Sequence, residues 1–106
     1  MRIAVTSTGG SMDALVSEQF GRCGYFLIVD SETMKFEAVS NLGEQMQSGA
    51  GPKAAELIIG KEAEVLLTGR VGDKAGEVLK KGGIKIVDGF KGTIKVIDAV
   101  NSYLTR

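Results

Sequence analysis

Three observations predict an α/β domain for this chain. The first forty residues hold short runs rich in β-branched and aromatic residues, the spacing of apolar residues then turns helical, and the fifteen glycines are spread between those runs, where they punctuate elements. The expected order is three strands followed by alternating helix and strand, βββαβαβα. It makes a mixed five-stranded sheet with three helices, the second strand antiparallel to the rest.

Each element has its own signal. Ile3-Ala4-Val5-Thr6 reads as the first strand, ended by the turn Ser7-Thr8-Gly9-Gly10. Tyr25 to Val29 and Lys35 to Val39 read as the second and third, and the short connection Asp30-Ser31-Glu32-Thr33 makes them antiparallel neighbours. Ala54, Ala55, Ile58 and Ile59 recur at helical offsets; Pro52 suits the first helical position and Gly60 the left-handed stop. Val65-Leu66-Leu67-Thr68 is a continuous apolar run of the buried parallel kind. Asp73 to Lys81 follows as a helix with Ala75, Val78 and Leu79 inward, stopped at Gly82-Gly83, and Ile84 to Val87 is the last strand. Thr93 suits the N-cap of a final helix, with Ile94, Ile97, Val100 or Asn101, and Leu104 on one face.

At 106 residues, 43% apolar and 25% charged, the chain has the size and composition of one soluble globular domain. No repeat, linker or composition break divides it. Thirteen basic and thirteen acidic residues cancel to a formal net charge of zero, so no broad basic face is expected for nucleic acid or a membrane surface. The apolar runs are too short to span a bilayer, and the N-terminus runs directly into a strand pattern, so the expected setting is the cytoplasm. A single cysteine, Cys23, permits no internal disulfide and fits a reducing compartment. There is no histidine, which removes His-dependent triads, zinc sites and the commonest general base. No base–nucleophile pair is visible, so a non-enzymatic role is expected. Nothing demands more than a monomer.

The topology gathers loops at one edge. Residues 6–10, 20–24, 41–51, 68–72 and 88–89 all fall at the carboxyl ends of the parallel strands, where ligands of open α/β sheets bind. Three helix starts, near Pro52, Asp73 and Ile94, face the same edge together with Arg22 and Arg70. That combination predicts an anion site. Gly49-Ala50-Gly51-Pro52-Lys53-Ala54 formally matches a dinucleotide fingerprint, but it follows a long loop rather than a tight turn after the first strand, and Pro52 sits inside it. Backbone amides of Gly49 and Gly51 cradling an anion need only the helix start. Gly69-Arg70-Val71-Gly72 reads either as a plain strand-to-helix turn or as an anion site in which Arg70 and the amides after Gly72 cooperate.

Cys23 reads as a small buried hydrophobe or as a thiolate ligand for a soft metal. One thiolate cannot hold a conventional cluster, which takes about four protein ligands. Met12 and Met46, in loops at this edge, are possible thioether donors. A cluster with its own complete sulfide shell, held as an anion by arginines and backbone amides, fits best. A small regulatory module sensing a nucleotide or other phosphate compound at this edge, or an interaction domain without ligand, is the alternative.

The segment Val16-Ser17-Glu18-Gln19-Phe20-Gly21-Arg22-Cys23-Gly24-Tyr25-Phe26 resembles the S-E-H-F-G-R-A-x-Y-F signature of the dinitrogenase iron–molybdenum cofactor biosynthesis family, which includes NifX-type carriers and the C-terminal domain of NifB-type proteins. The likeness runs on through Leu27 to Asp30, Asn41, Gly49-Ala50-Gly51, Ala54-Ala55, Val65 to Gly72, Gly83 to Val87 and Gly92-Thr93-Ile94. It implies a ribonuclease-H-like arrangement with strand order 3-2-1-4-5. It also implies a carrier that sequesters and transfers an iron–molybdenum cofactor precursor or a related molybdenum–sulfur cluster between donor and acceptor proteins. Gln19 stands where the family usually has histidine and Cys23 where alanine is common. The expected site is Arg22, Cys23, Gly49, Gly51, Arg70 and Gly72, with Cys23 as the one candidate metal ligand and the loop from Asn41 to Gly51 as a lid.

Overall fold

A computed structural model of the chain describes residues 1–41 and 48–105. The strands are β1 (Arg2–Ser7), β2 (Tyr25–Asp30), β3 (Phe36–Ser40), β4 (Val65–Leu67) and β5 (Lys85–Val87), and the helices are α1 (Ala50–Gly60), α2 (Asp73–Lys81) and α3 (Val96–Leu104). They follow one another as βββαβαβα, and the sheet order is β3-β2-β1-β4-β5. β2 runs antiparallel to β1 and β3, while β4 runs parallel to β1 and to β5. The fold expected from the sequence is the fold observed.

The register sorts the side chains by parity, as the period of two in a strand requires. Ala4 pairs with Ile28 and Leu66, and these belong with Phe26, Ala54, Ala55, Ile58, Ala75 and Leu79 to the core under α1 and α2. Ile3 and Val5 pair with Val29, Leu27, Val65 and Leu67, and face Val96, Ala99 and Val100 of α3. A central sheet buried on both faces explains why β4 is a continuous apolar run. Among the described residues, no helix is long and apolar enough to cross a membrane.

Three helix boundaries differ from expectation, each for a local reason. α1 begins at Ala50, so Pro52 occupies the third helical position. The first turn has no intrahelical acceptor to lose there, and proline is tolerated. Gly60 is helical. The left-handed residue is Glu62 (φ 61°), where Ala63 N donates to Ile58 O and Glu62 N to Ile59 O in a Schellman arrangement. α2 ends in the same way with the expected glycine, Gly83, at φ 78°.

The third difference is in α3, which starts after Lys95 rather than at Thr93. Ile94 O accepts from Val16 N, and Val96 N and Ile97 N donate to Ala14 O and Met12 O. The 8–16 loop thus caps α3 with backbone carbonyls and turns its inward face to Val96, Ala99 and Val100. Asn101 and Leu104 are left exposed.

Candidate functional site

The carboxyl edge is where the elements leave room. The crevice between β1 and β4, at the point of strand-order reversal, is sealed by hydroxyl chemistry. Thr6 Oγ1 donates to Ser17 O (2.7 Å) and lies 2.9 Å from Thr68 Oγ1, so Thr68 donates to it in turn. Ser7 Oγ donates to Gly9 O (2.6 Å), and Ser7 bridges to Val16. The 16–20 segment then crosses the edge as a strap. Phe20 N donates to Arg70 O (3.0 Å), and Glu18 Oε2 accepts from Gly92 N (2.6 Å).

One open space lies beside that strap. A cleft of about 330 Å³ is lined by Phe20 and Gly21 of the loop, Gly51 and Pro52 of α1, and Gly72, Asp73, Lys74 and Ala75 of α2. Two helix N-termini therefore share one wall. Neither carries a side-chain cap, and the first turn of α1 has no acidic residue. Their closeness depends on small residues. A Cβ on Gly21 would lie 2.9 Å from both Cα and N of Gly51, and one on Gly51 would lie 3.0 Å from the Ala75 Cβ. Gly49 holds the α1 N-cap at φ 76°, a left-handed conformation suited to glycine. Orphan N–H groups and both helix dipoles thus bear on this space, each dipole favouring an anion by ~0.3–1 kcal/mol near the terminus.

The expected site residues are divided by the structure. Gly51 and Gly72 line the cleft, Gly49 caps α1 beside it, and Arg22 is exposed next to Gly21. Arg70 is exposed but lines a neighbouring cleft of about 180 Å³ with Glu18, Gly69, Gly89, Phe90 and Lys91. Of the three helix starts expected there, that of α3 is occupied by the carbonyls of Met12 and Ala14.

Cys23 is in the core at 1% exposure, packed with Phe20 and Phe26, and its thiol donates to Phe20 O (3.3 Å). Cys23 is not among the residues that line the cleft. Met12 packs half-buried against the α3 core. Met46 and residues 42–47 of the expected lid lie outside the described residues. Lys74 and the Gly21–Gly51 contact escaped the sequence reading. Lys74 is one of many exposed lysines in the string, and the contact joins residues thirty apart.

The chain matches the family model for dinitrogenase iron-molybdenum cofactor over residues 1–106. Among solved structures it is similar to the apo form of the orange protein from Desulfovibrio gigas, at 42% identity and TM-score 0.94, covering 98% of this chain and 87% of that one. It is also similar to a protein from Thermotoga described as a NifB candidate of the DUF35 family, at 34% identity and TM-score 0.85, with the same coverage. A search of curated proteins finds no match. A family model spanning every residue, on a fold whose loops carry the signature segment, settles the relationship: the chain belongs to the dinitrogenase iron-molybdenum cofactor family.

Proposed function

We propose that this protein is a non-enzymatic carrier that holds an anionic metal–sulfur cluster, an iron–molybdenum or related molybdenum–sulfur species, in the cleft between the α1 and α2 N-termini. The observation that carries the reading is the convergence of those two uncapped helix starts on one space, with Lys74 on its wall. A cleft of about 330 Å³ has room for a small polyatomic cluster rather than only a bare metal ion.

The donor set favours cargo that brings its own ligands. Among the described residues, no group of three or more His, Cys, Asp and Glu is placed to hold a metal ion, and the chain has no histidine. Backbone amides, Lys74 and Arg22 supply hydrogen bonds and positive charge without displacing sulfide from a preassembled cluster. The name of the orange protein, with an apo form distinguished, fits a coloured group bound by a relative, since amino acids alone absorb no visible light. The protein's part is to bind, shield and release, and donor and acceptor proteins would load and unload it in the cytoplasm.

Anaerobic titration with tetrathiomolybdate, with and without copper(I), followed by visible absorbance, tests this. A saturable chromophore that stays with the protein after gel filtration is expected, its affinity weakened about tenfold by Lys74→Glu, because the charge at the helix start is reversed. Arg70→Ala, which faces the neighbouring cleft, is expected to change affinity less. A chain that gains no chromophore but is stabilised against heat by phosphate compounds would replace the cluster with a phosphate ligand at this edge.

A further inference from the structure

Asn41 is a buried polar residue, 5% exposed, directly after β3. Its Nδ2 lies 3.1 Å from Gly21 O, 2.9 Å from Cys23 O and 3.8 Å from Cys23 Sγ, all acceptors on the 21–23 loop. Its own backbone N donates to Gly24 O (3.0 Å), which anchors the residue to the start of β2. One side-chain amide therefore gathers the loop from twenty residues away, beneath the wall of the cleft. Beside it the Cys23 thiol donates to Phe20 O, and the Phe20 ring packs on Phe26 with centroids 5.4 Å apart. The loop is thus clamped from below by Asn41 and limited from above by the Gly21–Gly51 contact.

We propose that Asn41 is a positioning residue for the cleft, setting the distance between the Gly21 loop and the α1 start by donating to Gly21 O and Cys23 O. The inference rests on the cleft being the binding site. It adds that the site's shape is set by a residue that does not line it. Gly21 O and Cys23 O both require a donor at the Nδ2 position. A carboxylate at this position would face two carbonyl oxygens and repel them. A protonated carboxylic acid offers one O–H and restores one bond.

Tetrathiomolybdate binding to the full chain is measured for wild type, Asn41→Ala and Asn41→Asp, all well below their melting temperatures. Val100→Ala, in the α3 core on the opposite face of the sheet, serves as a control for general loss of stability. Affinity is expected to fall about tenfold or more in both Asn41 variants and to hold in Val100→Ala. As the pH is lowered, Asn41→Asp alone recovers affinity relative to wild type, because burial favours the protonated carboxyl. Equal losses in Val100→Ala, or wild-type affinity in Asn41→Ala, overturn the proposal.

Should wild type bind no thiomolybdate, the carrier reading falls, and amide hydrogen exchange decides the positioning role without cargo. Selective acceleration at residues 20–24 in Asn41→Ala supports it, and unchanged protection there overturns it.

Discussion

At the scale of single residues, backbone conformation decides more than side-chain identity. Gly60 is helical with open space around it, so Gly60→Ala should raise stability by ~0.5–1 kcal/mol. Glu62, left-handed without being glycine, should stabilise by about 1 kcal/mol as Glu62→Gly. Urea denaturation of the two variants checks both. If Gly60 were the left-handed stop that the string suggests, Gly60→Ala would destabilise instead. Gly21→Ala is the opposite case. Its Cβ meets Gly51 backbone, which cannot rotate away, so a loss of ~1–3 kcal/mol and an opened cleft are expected, read by denaturation and by thiomolybdate affinity. The sequence marks all these glycines alike. Only the surrounding atoms show which ones are needed.

At the scale of elements, α1 and α2 are matched in orientation but not in charge. α2 begins with Asp73, whose carboxylate favours the helix dipole yet stands on the cleft wall against an anion. Asp73→Asn should therefore lower stability by ~0.3–1 kcal/mol while strengthening thiomolybdate binding severalfold. Melting curves and titrations on the same protein separate the two, and a parallel fall in both quantities would contradict the placement of the cleft. α3 shows why a helix start in a sequence is not yet a site. Its first amides are taken by loop carbonyls contributed from eighty residues earlier. The edge strand β3 is the least covered, with Phe36 44% exposed, whereas the residues of β4 are all buried. Slow hydrogen exchange is expected at β1 and β4 and faster exchange at β3.

At the scale of the whole molecule, a chain of zero formal charge attracts an anion only through local amides and cations, not through a long-range field. Thiomolybdate affinity should therefore fall only severalfold between about 0.05 M and about 0.5 M salt, far less than for a broad basic surface. A steep salt dependence in the same titration would place the anion on the exposed arginines and lysines instead.

Much of this architecture was legible beforehand. The β-branched run Ile3 to Thr6, the hairpin-length connection after Asp30 and the continuous run Val65 to Leu67 are local consequences of apolar patterning and turn chemistry, so strand count, helix count and the antiparallel β2 could be read from the string. The helix starts near Pro52 and Asp73, and their shared edge, followed from topology. What only the tertiary structure decided depends on residues far apart in sequence. Gly21 meets Gly51, Asn41 clamps the 21–23 loop, Arg70 turns to a separate cleft, and the Cys23 thiol closes into the core. These outcomes are set by packing and by the need of buried polar groups for partners, which no window of neighbouring residues contains.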